Sequence, residues 1–529
     1  MAGPRCGEHR AGNALHAAAH RGRRRRRSPG GQEQGDRRAQ TARGDGHLLR
    51  PGAVAQQRAG RGDGRDHGLR LRQGRRADAH QSPAHLRRRR RHRLPAAPDR
   101  RGRGPGGHRR RDRPLLDQRE LRYRDGARLK ARRAILALPL IALLLGGCRP
   151  TIDPEAWEAL PWNPTELRVR LAAGRELLLV AFPDGGGLDT PEGERLYRVP
   201  AGWELVFSRE GDGLAVNGQA LPGGAVVLRP GGASVADPRL SFDHADYRGE
   251  FIVDLDGAGL LLVNRLDVED YLRGVLPAET YASWPAAALE AQAVVSRSYA
   301  LARAWSRPTD TWQLRADTGD QVYRGRDVED PRTDAALTAT AGRVAVYDDE
   351  LITAYFSSCC GGRTVPVEEA WPGSAPVPYL GGVDCPWCVD CPNHDWELRL
   401  EFDQLSAALA EAGYTNAPLC GLRPSTSTRS GRVTAVEFTN TAGESFSLGG
   451  EELRRVVGYS RLKSTRFAIA SSDAAGLTLR GGGYGHGVGL CQWGARGMAE
   501  AGYELEEIID FYYPGAEVRD YRGLEPPPS

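Results

Sequence analysis

The sequence has little of what a membrane-spanning or nucleotide-binding protein needs. Its apolar run from Ala134 to Leu145 is too short for a spanning helix, which takes about 20 apolar residues. No lysine follows a glycine, so the Gly-Lys-Ser/Thr end of a phosphate-binding loop is absent. Residues 1–133 also show almost no aliphatic periodicity, and such a segment has no regular face from which to build a core.

Charge is divided unevenly along the chain. The net charge of +6 combines about +27 over residues 1–133 with about −21 over the remaining residues. The basic balance therefore describes no single folded unit and is no argument for nucleic-acid binding. We expect residues 1–128 to be an Arg-rich leader, either disordered or translated from a wrongly assigned start codon. A nucleic-acid-binding arm is the less favoured alternative.

Residues 129–147 have the pattern of an export signal. Three basic residues between Lys130 and Arg133 precede the apolar run, and small residues end it. The tetrapeptide Leu145-Gly146-Gly147-Cys148 resembles the bacterial lipobox, which implies that Cys148 is the acylated first residue of a mature lipoprotein. The Pro-rich residues 148–164 are then predicted to be a tether.

We predict an α+β fold for the rest of the chain. Over residues 165–263, short strand-like runs alternate with Gly and Pro turns and carry no cluster of reactive side chains. This pattern indicates a small N-terminal β domain. Residues 264–520 mix helical and strand patterns, and we predict a mixed α/β catalytic domain with a substrate groove.

The stretch Leu266–Trp305 contains two helical patterns on either side of a Pro-Ala-Glu turn. Apolar residues recur at helical spacing up to Pro277, which is predicted to end the first helix at or before Leu276. Pro285 suits the first turn of the second helix. Glu279 is thus predicted to lie on a rigid corner between two helices, where it is a candidate acid.

Two further segments are candidates for a groove. A predicted hairpin about residues 348–350 leads into Ser357–Thr364, where small polar residues and a glycine pair permit close approach to the backbone. Every second residue from Gly483 to Gly489 is a glycine, with His486 among them. Too little chain follows for a series of βα units, which argues against a dinucleotide site. We interpret these glycines as a groove floor against which a bulky polymer lies.

Four motifs in a fixed order carry a more specific signal. They are Val275–Glu279 (VLPAE), Glu290–Ala300 (EAQAVVSRSYA), Ser357–Thr364 (SSCCGGRT) and Gly483–Ala495 (GYGHGVGLCQWGA). With these motifs, about residues 165–520 closely resemble the family of sporulation stage II protein D and the amidase enhancers, SpoIID/LytB.

The resemblance implies a peptidoglycan lytic transglycosylase that leaves 1,6-anhydro-muramic ends, with Glu279 as the catalytic acid. Most glycosidases need two carboxylates. A lytic transglycosylase needs one, because the sugar's own 6-hydroxyl attacks the anomeric carbon. Glu279 would act as acid and then as base, with its pKa raised by partial burial, for instance near Tyr281 and Trp284. The alternative is a non-catalytic cell-wall-binding lipoprotein that enhances or recruits an N-acetylmuramoyl-L-alanine amidase.

Six side chains are candidates for contacts with the glycan: Gln292, Arg297, Tyr355, Ser358, His486 and Gln492. Arg297 has a competing interpretation as the ion-pair partner of Glu290, two helical turns earlier. The expected partners are peptidoglycan glycan strands, a cell-wall amidase as a further candidate, and a bacterial membrane reached through the lipid anchor. We therefore expect an exported protein that faces the cell wall, with no nucleic-acid partner.

Seven of the nine cysteines remain after Cys6 in the leader and Cys148 are set aside. Disulfides are the default outside the cytoplasm and are slightly favoured, although an odd number leaves one thiol free, metal-bound or intermolecular. The alternative is a structural zinc, for which the Cys-x-x-Cys spacing is suitable. Its predicted ligands are Cys385, Cys388 and Cys391 with Cys359 or Cys360. The reaction itself requires no cofactor.

Overall fold

The computed structural model describes residues 163–231, 235–257 and 259–526. The predicted leader, the export signal, the acylated Cys148 and nearly all of the tether lie outside the described residues. Within the described part, no helix is both long enough and apolar enough to cross a membrane.

Two β-sheets make up the first hundred described residues. Their strands are β1 (Glu166–Arg175), β2 (Leu177–Phe182), β3 (Gly186–Asp189), β4 (Arg195–Val199), β5 (Trp203–Glu210), β6 (Gly213–Val216), β7 (Gln219–Ala220), β8 (Val226–Pro230), β9 (Leu240–Phe242), β10 (Ala245–Tyr247), β11 (Glu250–Asp256) and β12 (Gly259–Asp267). One sheet has the order β1-β12-β11-β8-β3-β4, with β13 (Leu314–Arg315) added in parallel beside β1. The other has the order β10-β9-β2-β5-β6-β7.

Alternating side chains explain why these sheets face each other. Along β2, Leu178, Val180 and Phe182 are buried while Leu177 and Leu179 are exposed, as expected for a strand with one face on a core. The same core continues into the helices that follow β12. The predicted β segment and the start of the predicted catalytic segment therefore share one hydrophobic core.

Three helices follow β12: α1 (Val268–Glu279), α2 (Ala286–Trp305) and α3 (Pro331–Ala339). Asp267 caps α1 by accepting the Glu269 N–H at 2.8 Å, and Pro285 is the N-cap of α2. The prediction that Pro277 ends the first helix is wrong by three residues. A proline in the last turn removes only one N–H, and both the N–H and the hydroxyl of Thr280 close the end on the Leu276 carbonyl.

A second core surrounds short strands and helices from two distant parts of the chain. The elements are β14 (Arg343–Tyr347), β15 (Glu350–Leu351), β16 (Phe356–Ser357), α4 (Val367–Ala370), β23 (Leu490–Cys491), α7 (Gln492–Glu500), α8 (Leu505–Tyr512) and β24 (Glu517–Asp520). β16 pairs in parallel with β23, so the third and fourth sequence motifs lie side by side. The predicted hairpin is confirmed by the β14–β15 pair, with Asp348 and Asp349 at positive φ in its turn.

Residues 395–482 have a core of their own, which the sequence did not set apart from the rest of residues 264–520. The elements here are β17 (Asp395–Glu401), α5 (Phe402–Glu411), β18 (Leu419–Ser427), β19 (Val433–Asn440), β20 (Ser445–Gly449), α6 (Gly450–Val457), β21 (Phe467–Ser472) and β22 (Gly476–Gly482). They form the sheets β17-β22-β21 and β18-β19-β20. The described chain is thus a mixed α/β protein in which β22 leads directly back to the fourth motif.

Candidate active site

Glu279 is the last residue of α1, where the chain turns towards α2. One carboxylate oxygen, Oε1, accepts the backbone N–H of Val322 at 2.7 Å. The backbone carbonyl of Glu279 accepts the side-chain amide of Gln492 at 3.2 Å. In the described part of the chain, no arginine, lysine or histidine lies within ion-pair distance of this carboxylate. Among the described residues, Glu279 is therefore held by hydrogen bonds to its carboxylate and its backbone carbonyl and not by a salt bridge.

The loop that supplies the Val322 N–H is fixed from two sides. The Tyr271 hydroxyl donates to the Gln321 side-chain oxygen at 3.2 Å, and the Gln321 amide donates to the Ser296 carbonyl at 3.3 Å. Tyr271 lies on α1 and Ser296 on α2, so the loop is held by both helices that flank Glu279. This arrangement fixes the direction from which the carboxylate receives its hydrogen bond.

Burial raises the pKa of Glu279 above its ordinary value. The Val322 N–H, the Gln492 side chain and the more weakly acting Arg324 charge lower this pKa because they favour the charged form, but the loss of hydration is the larger influence. A glutamate with a raised pKa keeps its proton closer to neutral pH than a solvated one. That is the property required of a general acid.

Three aromatic rings lie together on the stretch that follows Glu279 and on α7. Tyr281 and Trp284 have ring centroids 5.4 Å apart, and Trp493 lies 5.6 Å from Trp284. Arg496 stacks over Trp493 at 4.9 Å. Tyr281 is 42% exposed, so this aromatic cluster has an accessible edge. Tyr281 and Trp284 are connected with Glu279 in the sequence, whereas Trp493 is not, although it lies in the fourth motif directly after Gln492.

A second ring cluster contains two of the predicted groove residues. Tyr355 and His486 pack against Trp371, with centroid distances of 5.0 and 5.1 Å from it. Burial, with the nearby Arg432 charge, lowers the pKa of His486 to about 3, so its imidazole is neutral. Its Nδ1 accepts the Val488 N–H at 3.0 Å, and the ring also bonds the Phe356 backbone. His486 therefore makes its hydrogen bonds to the backbone of its own loop and of β16.

Arg297 and Gln292 lie in the core and not at a groove. The Arg297 side chain has no exposed surface and makes a two-bond ion pair with Glu269, at 2.8 and 2.7 Å. The pairing with Glu290 predicted as one alternative is wrong, because α1 folds back along α2 and brings Glu269 closer. Gln292 is also buried and donates to the Ser296 hydroxyl at 3.0 Å. Neither side chain reaches solvent, where a glycan would bind.

The alternating glycines have a structural explanation that the sequence analysis did not give. A Cβ atom at Gly489 would lie 2.0 Å from the Tyr355 carbonyl oxygen, and one at Gly485 would lie 2.9 Å from the Ser357 Cβ. Both residues have positive φ. The glycines let the fourth motif lie directly against Tyr355–Cys360. The contact with a polymer stays a prediction. Ser358 belongs to that segment, and its backbone carbonyl accepts the backbone N–H of Trp493 at 3.1 Å.

Six buried free cysteines lie in the second core: Cys359, Cys360, Cys385, Cys388, Cys391 and Cys491. Four of them could hold a metal, because the sulfur atoms of Cys360, Cys385, Cys388 and Cys491 all lie within 4.8 Å of one another. The structure thus brings together three of the four predicted ligands and places Cys491 in the position predicted for Cys391. Among the described residues, no other group of His, Cys, Asp or Glu side chains has a comparable arrangement.

Comparisons with known proteins match part of the chain that forms this site, including Glu279. The family model described as stage II sporulation protein, SpoIID, matches residues 256–347, and a domain of unknown function, DUF8618, matches residues 390–489. The second match coincides closely with the segment that has its own core.

Three similar proteins show how far the likeness extends. An uncharacterized protein of Brachyspira hyodysenteriae is 36% identical over 266 residues, which cover 50% of this chain and 69% of that protein. The amidase enhancer of Bacillus subtilis is 30% identical over 348 residues, or 56% of this chain and 47% of the enhancer. The stage II sporulation protein D of the same organism is 26% identical over 277 residues, which cover 49% of this chain and 76% of that protein. Together with the family match, these likenesses confirm the resemblance seen in the four motifs: the chain belongs to the SpoIID/LytB family.

Proposed function

We propose that this protein is a peptidoglycan lytic transglycosylase in which Glu279 is the catalytic acid and then the catalytic base. One observation carries the proposal. Glu279 is a carboxyl group with a raised pKa and no ion-pair partner among the described residues, and it lies next in the chain to an accessible aromatic cluster. A carboxyl group that served only to stabilise the fold would gain most from a cationic partner.

The hydrogen bonds of Glu279 favour one oxygen as the proton donor. Oε1 accepts the Val322 N–H, so in the neutral acid the proton lies on Oε2. Oε2 would give this proton to the oxygen of the glycosidic bond as the bond from that oxygen to the anomeric carbon breaks. The leaving sugar departs as an alcohol, and positive charge develops on the muramic ring.

The second half of the reaction needs no second carboxylate from the protein. The 6-hydroxyl of the same muramic residue attacks the anomeric carbon and closes a 1,6-anhydro ring, while the Glu279 carboxylate takes the hydroxyl proton. Asp320, on the loop that holds Glu279, is unsuited to activate water instead. Its carboxylate accepts the Tyr299 hydroxyl at 2.7 Å and the Arg315 N–H at 3.0 Å, and its side chain is almost fully buried.

The aromatic cluster of Tyr281, Trp284 and Trp493 supplies a surface for sugar rings next to the acid. Aromatic faces provide broad apolar contact at little cost in conformational entropy. Gln492 connects the two parts, because its side chain holds the Glu279 carbonyl and Trp493 follows it on α7. In this proposal Gln492 positions Glu279, while the aromatic cluster binds the glycan.

A second candidate function is the enhancement of an N-acetylmuramoyl-L-alanine amidase without cleavage of glycan. The observation that favours it is the 30% identity with a protein named amidase enhancer. Such a protein would use the aromatic cluster to bind the wall and would have no need of the Glu279 proton. The two functions therefore differ in their dependence on one proton.

The experiment incubates wild-type and Glu279→Gln proteins with peptide-free glycan strands and with intact peptidoglycan. Mass spectrometry then measures the anhydro-muramic ends. We expect these ends with wild type on at least one of the substrates and a loss of about 10²- to 10⁴-fold with the variant. A wild type that forms no such ends, but still accelerates stem-peptide release by an added amidase, would establish the enhancer function instead.

We also propose that the protein acts outside the cytoplasm, attached to a membrane through a lipid on Cys148. The support is the predicted export signal with its lipobox-like end. Cells expressing the chain from a start near Leu129 should incorporate labelled fatty acid into it, and a Cys148→Ala variant should not. Equal labelling of both would refute the anchor.

A further inference from the structure

The four cysteines that lie within 4.8 Å of one another come from three separate parts of the fold. Cys360 follows β16, Cys385 and Cys388 flank the short 3₁₀ turn Pro386–Cys388, and Cys491 ends β23 at the N-cap of α7. All four are buried, with exposures of 0%. A cluster of four enclosed thiols from distant segments requires a physical explanation, because free thiols gain little from meeting one another.

We propose that Cys360, Cys385, Cys388 and Cys491 bind one structural zinc ion as thiolates. A tetrahedral site with Zn–S bonds of about 2.3 Å has sulfur–sulfur edges of about 3.8 Å. The Cys360 and Cys388 sulfurs are already 3.6 Å apart. Each thiol gives up its proton on binding, so zinc uptake releases four protons and its affinity depends on pH. The proposal does not depend on the reaction at Glu279.

The surroundings of the four sulfurs suit thiolates. The Cys360 backbone N–H donates to the Cys491 sulfur at 3.3 Å, and the Tyr512 hydroxyl lies 3.2 Å from the Cys385 sulfur. Hydrogen bonds of this kind orient metal ligands and stabilise their charge. Gly494 on α7 leaves room for the cluster, because a Cβ there would lie 2.0 Å from the Tyr512 hydroxyl and 2.7 Å from the Cys385 sulfur.

A buried cation near the cluster gives independent support. Arg432 is almost fully buried and makes no salt bridge to an Asp or Glu of the described residues. Its Nε and Nη2 donors have no hydrogen-bond partner within the described chain. Of the groups that interact electrostatically with its guanidinium, Glu451 comes first, and Cys360 is among the others. A zinc ion with four thiolates has a net charge of −2, so Arg432 would supply a compensating charge that the apo cluster does not need.

The two remaining buried cysteines provide the matched controls. Cys359 lies beside Cys388 and Cys491 as well as Cys391. The Cys391 sulfur accepts the Asn393 N–H at 3.3 Å. Neither Cys359 nor Cys391 belongs to the set of four. The sequence spacing alone predicts Cys391 as a ligand, whereas the structure assigns that position to Cys491. Substitution of one or the other therefore separates the two ligand sets.

The experiment measures zinc and iron by elemental mass spectrometry in protein purified under reducing conditions without chelators. We expect about one zinc per chain in wild type, in Cys391→Ser and in Cys359→Ser, and a loss of zinc in Cys491→Ser and Cys388→Ser. If the last two variants fail to fold, wild type refolded with Co²⁺ keeps the test decisive. It should show the intense visible absorption bands of a tetrahedral thiolate site.

Three results would overturn the proposal. One is folded wild type that contains no zinc and whose four cysteines are found in disulfides by peptide mapping without reduction. Another is one mononuclear iron per chain instead of zinc. The third is loss of zinc from Cys391→Ser together with its retention in Cys491→Ser, which would restore the ligand set predicted from the sequence.

Discussion

The two ends of helix α1 carry the same residue type in opposite surroundings. Glu269, in the first turn, forms a two-bond ion pair with the buried Arg297 and also accepts the Gly342 N–H at 3.2 Å. Glu279, in the last turn, has no ion-pair partner within the described part of the chain, and burial raises the pKa of its carboxyl group. One carboxylate is thus stabilised in its charged form, and the other is placed where its neutral form is favoured.

Helix geometry accounts for part of this difference. The N-terminal end of a helix carries partial positive charge and favours a carboxylate, while the C-terminal end carries partial negative charge and disfavours one. The ion pair of Glu269 also joins α1 to α2 and, through the Arg297 bond to the Arg343 carbonyl, to the start of β14. The comparison shows that Glu269 joins the helices around Glu279, while Glu279 itself has no ion-pair partner among the described residues.

The comparison predicts that the two glutamates fail in different ways when each is changed to glutamine. In Glu279→Gln, the rate of glycan cleavage should fall about 10²- to 10⁴-fold, with little change in the free energy of unfolding. Glu269→Gln should lower the free energy of unfolding by about 1–3 kcal/mol, because the buried Arg297 charge is left unpaired. The loss stays below that of a fully enclosed pair, since solvent reaches Glu269. Denaturant titration and the anhydro-end assay measure the two effects on the same protein samples.

A reversed pattern would break the comparison. If Glu279→Gln unfolded more easily while Glu269→Gln kept its stability and lost activity, then the roles assigned to the two ends of α1 would have to be exchanged.

A smaller effect is expected from the aromatic cluster beside Glu279. Trp493→Ala should raise KM for purified glycan about fivefold with a lesser change in kcat, because an aromatic contact contributes about 1 kcal/mol. Trp203→Ala is the control, since Trp203 is an exposed tryptophan on β5, in the N-terminal sheets. An unchanged KM in Trp493→Ala would remove the cluster from the glycan-binding surface.

The two helices around Glu279 were predictable because both follow from apolar periodicity and proline positions within one stretch of chain. The partner of Arg297 was not. Choosing between Glu290 and Glu269 requires the direction in which α1 folds back on α2, and spacing along a single helix contains no information about it. The hydrogen bond from the Val322 N–H to Glu279 was equally unpredictable, since a backbone donor has no sequence signature.

The cysteine ligands show the same limit. The spacing of Cys385, Cys388 and Cys391 predicts three thiols on one turn, but a short turn has only some of its side chains on one side. Cys391 lies beyond that turn and bonds to Asn393, while Cys491 arrives through the parallel pairing of β16 with β23. Pairing between strands more than a hundred residues apart could not be read from the spacing. The family resemblance, by contrast, needed only the order of four local motifs.

The smallest expected effect concerns the pH dependence of stability. Because the pKa of Glu279 is raised in the folded protein, the folded state holds this proton more tightly than the unfolded state does. Stability from this group is therefore fully present below the ordinary pKa of 4.5 and is lost as pH rises through the higher folded value. Each unit of difference corresponds to about 1.4 kcal/mol. Denaturant titrations of wild type and Glu279→Gln at a series of pH values from acid to neutral should show a steeper fall for wild type. Equal slopes for wild type and Glu279→Gln would contradict a raised pKa at the C-terminal end of α1.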